Sequence, residues 1–163
     1  MRAYVKKMIK DYPRLLKLRA YLKKQIAEYR PVTIEDVIDS MTFGHQEGER
    51  VQTSNISDKT ATIAIMYQDR VNRMNEEVIS GWIHEHQELD DEITFFEECI
   101  RRLSGEQGEV MRCLVLDGAS WYEAEVTLCM SRMMIWDRRR RAIDELARMY
   151  QARASQMEAI LLS

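Results

Sequence analysis

The sequence predicts an all-α protein in which an N-terminal helical hairpin containing one long central helix is followed by a C-terminal helix-turn-helix. Three observations carry that expectation. Six glycines and two prolines in 163 residues leave little turn punctuation. Over most of the chain, apolar side chains recur at steps of three and four, the period of a helix. Between Leu103 and Tyr150, three short segments follow one another, each opened by a serine suited to cap a helix. The division that results is residues 1–102 as a helical hairpin or oligomerisation region and residues 103–163 as the helix-turn-helix region.

From Arg2 to Tyr29, Tyr4, Met8, Tyr12, Leu15, Leu18, Leu22, Ile26 and Tyr29 fall on one helical stripe, while Lys6, Lys7, Lys10, Arg14, Lys17, Lys23 and Lys24 occupy the other faces. Those basic groups are either a solvated face or one that touches phosphates. Pro13 kinks the first turns or marks the true start near Asp11. Arg30-Pro31 ends the helix, and Thr33 with Asp36 resembles a capping arrangement for a short helix through Met41. Residues 42–57 have no periodicity and are expected to form an exposed loop.

Ser57 or Asp58 then caps a helix that continues to Leu103, with Ile63, Tyr67, Val71, Met74, Val78, Trp82, Leu89, Ile93, Phe96, Ile100 and Leu103 close to a heptad stripe. Such a stripe needs a partner, either the first helix of the same chain or a second copy in a homodimer. Asn72, Asn75 and Gly81 are the points where so long a helix would break.

Beyond Leu103, Ser104 caps a helix through Leu116, and Asp117-Gly118-Ala119 breaks it. Ser120 caps a second helix beginning at Trp121, Cys129-Met130 forms a tight turn, and Ser131 caps a third, arginine-rich helix. The N-terminus of that third helix offers Ser131 and free N–H groups to a phosphate, and Arg132, Met133, Trp136 and Asp137 project toward base edges. Arg138, Arg139, Arg140 and Arg141 add four successive charges whose close acidic neighbours in sequence are Asp137 and Asp144, which suits contact with phosphates. Ser120 and Trp121 complete the expected DNA-facing set. In the bland alternative, the arginines pair with the acidic middle of the same chain.

Charge is polarised along the chain. Residues 1–30 hold ten Lys/Arg against two acids, residues 31–129 seven against twenty-one, and residues 130–163 seven against four, so a net charge of −3 conceals two basic ends. Cys99, Cys113 and Cys129 form no C-x-x-C and are expected to be buried thiols of a reducing cytoplasm. No stretch is apolar enough to span a membrane, and the basic N-terminus has no apolar signal region. His84 and His86 lack the i, i+4 spacing of a helical metal site, and the acids from Glu85 to Glu98 read as a solvated face, so neither a metal nor a cofactor is expected. Without a phosphate-binding glycine loop, nucleophile elbow or H-E-x-x-H, an enzyme is not expected.

Leu103, Val110, Leu114, Gly118, Ser120, Trp121, Glu123, Leu128, Ser131, Ile135, Arg139, Ala142 and Leu146 follow a pattern that resembles the region-4 helix-turn-helix of sigma-70-type factors. They resemble more closely the phage-encoded transcriptional regulators of the RinA and ArpU type, and the segment from Ser57 to Ala64 is similar to the middle of those proteins. The resemblance covers roughly residues 57–150. It implies a DNA-binding regulator that activates late or lysis-related genes, with double-stranded DNA as partner and RNA polymerase as an open second one. Two positions depart from the pattern. Ala124-Glu125 stands where Ile-Ala is usual, so Glu125 must rotate out of the helix contact or reach solvent, and Arg138 replaces an apolar or aromatic residue. The alternatives are a helical adaptor or assembly protein and a DNA-packaging component like a small terminase subunit.

Overall fold

A computed structural model describes residues 1–37 and 58–162, with side chains of the central helix from Ile65 onward. The described residues are helical without strands, so the chain is all-α. The elements are α1 (Arg2–Ala27), α2 (Asp58–Arg102), α3 (Gly105–Met111) with a π-helical continuation Arg112–Leu116, α4 (Trp121–Leu128) and α5 (Arg132–Leu161). The loop expected at 42–57, the far end of the helix to Met41 and the capping role of Ser57 lie outside the described residues.

The chain divides into two compact units, Met1–Ala20 with Glu88–Ser163, and Tyr21–Gln87.

In the first unit one core joins α1, α2 and α5, with Met111 of α3 and Val115 of its continuation added to it. Val5, Met8 and Tyr12 of α1 meet Ile93, Phe96, Cys99 and Ile100 of α2 and Ala142, Ile143, Leu146, Ala147 and Tyr150 of α5. Fully burying the Val, Ile, Leu, Met and Phe side chains among them contributes about 1.5–3 kcal/mol each. Polar tips at the rim keep their partners: the Tyr4 and Tyr12 hydroxyls donate to Glu92 and Glu97, both at 2.8 Å, and Arg19 reaches Asp90 at 3.0 Å. Burial and these carboxylates raise both phenols to about 12. The Tyr150 hydroxyl is buried beside Glu92 without hydrogen-bond geometry to it, and its pKa is raised, mainly by that burial.

Pro13 lies inside α1, which starts at Arg2 and not near Asp11. The ring removes one N–H and leaves the Ile9 carbonyl without its usual donor, a loss the helix absorbs because both flanking turns pack on the core. The helix ends at Ala27, two residues before the expected Tyr29.

In the second unit, Asn75 locks rather than breaks α2. Its side chain accepts from the Tyr29 hydroxyl at 2.9 Å and the Val32 N–H at 3.0 Å, and donates to the Val32 carbonyl at 2.8 Å. Tyr29 meets Trp82 edge-on at 5.7 Å. Asn72 and Gly81 likewise sit within continuous helix. Thr33 and Asp36 exchange backbone-to-side-chain bonds as a capping box, at 2.8 and 3.2 Å, and the N–H and hydroxyl of Thr33 hold the Asp36 carboxyl below its ordinary pKa. Val71 is buried, whereas Tyr67, Met74 and Val78 of the same stripe are exposed.

Candidate nucleic-acid interface

Local chemistry fixes each of the short helices. Ser104 occupies the N-cap position of α3 but makes no capping bond, contrary to expectation, and Gly105 turns the chain at φ +60°. Gly108 lies against the Leu103 carbonyl so closely that no Cβ fits there. Past Met111 the helix widens to π geometry, the Asp117 N–H donating to Arg112 O at 2.9 Å, so the expected single α-helix to Leu116 is two forms in series. Gly118, at φ +68°, ends it.

At the start of α4, Ser120 Oγ accepts from the Glu123 N–H at 3.3 Å while the Glu123 carboxylate accepts from the Ser120 N–H at 2.7 Å. This reciprocal box holds the Glu123 carboxyl below its ordinary range. Cys129 then adopts the left-handed conformation at φ 51°, ψ 40°, and Ser131 Oγ accepts from the Met134 N–H at 3.4 Å to cap α5. A small core of Val110, Cys113, Ala124 and Ile135 holds α3, α4 and α5 together.

Both departures from the sigma-like pattern find partners. Ala124 is fully buried among Val110, Cys113 and Ile135, so a small residue stands where α4 meets α3 and α5. Glu125 is half-buried and reaches Arg132 at 3.5 Å, so no unpaired acid is buried. Arg138 pairs with Glu106 of α3 at 2.6 Å, tying the two helices by charge where an apolar contact would otherwise stand.

The expected DNA-facing residues separate into three groups. Met133, Trp136, Arg140 and Arg141 are exposed on the outward side of α5, and Arg132 is exposed at its first turn beside Glu125. Asp137 lies among the arginines, 2.9 Å from Arg141, 3.3 Å from Arg140 and 3.7 Å from Arg138. Arg140 also lies over the Trp136 ring at 5.7 Å. Ser120 and Ser131 are spent on caps, Trp121 packs against the small core, and Arg139 is half-buried on the side of Ile135 and Ala142, where desolvation lowers its pKa.

The arginine run is therefore partly compensated locally, by two carboxylates for four guanidinium groups. Asp137 serves three guanidinium groups and Glu106 a fourth contact, while Asp144 is taken by Arg2 at 2.9 Å. Glu106 was invisible because it lies on another element, and only folding brings it to Arg138. Sequence reasoning also missed Tyr122 and Val126, 70% and 61% exposed. Their i, i+4 spacing away from Ala124 and Leu128 was the available signal. Cys129 is exposed, unlike Cys99 and Cys113, so the expectation of three buried thiols fails at the turn.

Among the described residues no helix is long and apolar enough to cross a membrane, and no group of three or more His, Cys, Asp or Glu could hold a metal ion. No protein family, curated protein or solved structure matches the chain.

Proposed function

We propose that α4 and α5 act as a helix-turn-helix that binds double-stranded DNA, and that the chain is a phage- or prophage-type transcription regulator activating late or lysis-related genes. The observation that carries this is the outward side of α5, where Met133, Trp136, Arg140 and Arg141 stand clear of the core on a Ser131-capped helix braced by Ala124 and Ile135. Asp137 restrains the guanidinium groups before any ligand arrives, which lowers the entropy lost on contact. Met133 and Trp136 offer apolar contact to thymine methyl groups, and Arg132 can exchange a long, exposed ion pair for a base edge. RNA polymerase is the second partner this function would use, in the cytoplasm.

A helical adaptor is the second reading, favoured by the exposed Tyr122, Val126, Met133 and Trp136, which a protein partner would also cover. The uncovered Tyr67, Met74 and Val78 of α2 favour a homodimer in either case. Titrating the protein against fluorescent genomic duplex fragments at two salt concentrations separates the readings. Retention that prefers one fragment and weakens steeply with salt is expected of a regulator. No retention at low salt leaves the adaptor, and a ring of many subunits on sizing points to DNA packaging.

A further inference from the structure

The outer face of α1 carries Lys6, Lys7, Lys10, Arg14 and Lys17, all exposed. At about 100° per residue they fall within roughly a 100° sector, along about 16 Å of helix. The opposite sector holds Val5, Met8 and Tyr12, buried in the core. None of the five makes an ion pair among the described residues; Asp11, the one acid between Arg2 and Lys24, joins none of them. Like charges three and four residues apart weaken a helix, and a merely solvated face ordinarily alternates its signs. This one does not, and a polyanion would relieve it.

We infer that this stripe is a second contact surface for the phosphodiester backbone of duplex DNA, separate from the base-facing side of α5. The inference rests on the DNA-binding function proposed above. The stripe has the axial length of about four or five phosphates on one strand. An anionic membrane surface is the competing polyanion, but helices that lie on membranes insert an apolar face, and the apolar face of α1 is already buried against α2 and α5. Four of the five are compact, hydrated ammonium groups on flexible stems, which suit sequence-blind attraction. The stripe belongs to the same compact unit as α5, so one fold carries both surfaces.

The test uses the full chain, the triple variant Lys6→Gln/Lys10→Gln/Lys17→Gln and the double variant Arg140→Ala/Arg141→Ala. Glutamine retains helix propensity, and circular dichroism checks that the fold is kept. Binding to preferred and random duplexes is measured across salt, alongside sedimentation with vesicles of phosphatidylcholine and phosphatidylserine in equal parts. The triple variant is expected to weaken on every duplex alike, with the salt slope reduced by about two to three units and the order of preference unchanged. An unchanged slope overturns the inference while the α5 reading stands, provided the double variant loses affinity. A double variant that binds as the unaltered chain does, with the triple variant weakened, overturns the α5 reading and leaves the stripe. Loss of vesicle binding without loss of duplex binding assigns the stripe to membranes and overturns the inference, and no duplex retention by the unaltered chain overturns both.

Discussion

On α5, arginines 138, 140 and 141 are held by Asp137 and Glu106, whereas on α1 five basic side chains of the same compact unit have no acid paired to them among the described residues. The charges are alike; their restraint is not. A guanidinium held in a fixed orientation loses little freedom when it meets a planar acceptor, which suits selective contact. A free ammonium samples many positions and suits attraction that ignores sequence. Counting positive residues ranks the two surfaces together, and only their ion-pair partners distinguish them.

The strongest way to break the contrast is to remove the core on which both surfaces hang. Phe96 is fully buried among residues of α1, α2 and α5, and Phe96→Ala is expected to cost about 3–5 kcal/mol in denaturant unfolding. A loss below about 1 kcal/mol would mean that α1 and α5 do not share that core. Next in size is Gly108→Ala. The added Cβ meets the Leu103 carbonyl, which is backbone and cannot rotate away, so α3 must shift at a cost of about 1–3 kcal/mol. Because Glu106 rides on α3, the same change should loosen Arg138, and duplex preference should fall along with stability; full preference in the folded variant would show that the Glu106–Arg138 pair does not shape the site.

Asp137→Asn makes α5 resemble α1. It removes the charge that holds three arginines but keeps the size of the side chain, and Asp137 is partly exposed, so stability should change by no more than about 1 kcal/mol. Random duplex should bind more tightly, with a salt slope steeper by about one unit, while the ratio of preferred to random binding falls. A preserved ratio, measured by competition between the two duplexes, would remove Asp137 as a positioning residue.

What could be read in advance follows the range of the interaction. Helix periods, the caps at Ser120 and Ser131 and the break at Gly118 are local, and each is legible in a few consecutive residues. The behaviour of Asn75 was not, because a residue that disfavours helix in isolation is held there by Tyr29 and Val32 from another part of the chain. The same holds for the site. The exposure of Met133, Trp136, Arg140 and Arg141 follows from helical spacing, but the pairing of Arg138 with Glu106 depends on tertiary folding, and the inward turn of Arg139 depends on which face of α5 the core selects.

The smallest expected effect sharpens the contrast without touching a charge. Cys129 holds a left-handed backbone between α4 and α5, a conformation that crowds the Cβ of an L-residue by about 1–2 kcal/mol and that glycine adopts freely. Glycine loses more freedom on folding, which offsets part of the gain, so Cys129→Gly should raise stability by about 0.5–1 kcal/mol. The thiol gives up only a 3.7 Å contact with the Val126 carbonyl. Neither basic surface is altered, so duplex preference and salt slope should both match the unaltered chain. Thermal unfolding with duplex titration separates the outcomes: a stabilised variant with lost preference would mean that the exposed thiol itself meets the ligand, and a destabilised one that the turn is not set by this backbone conformation.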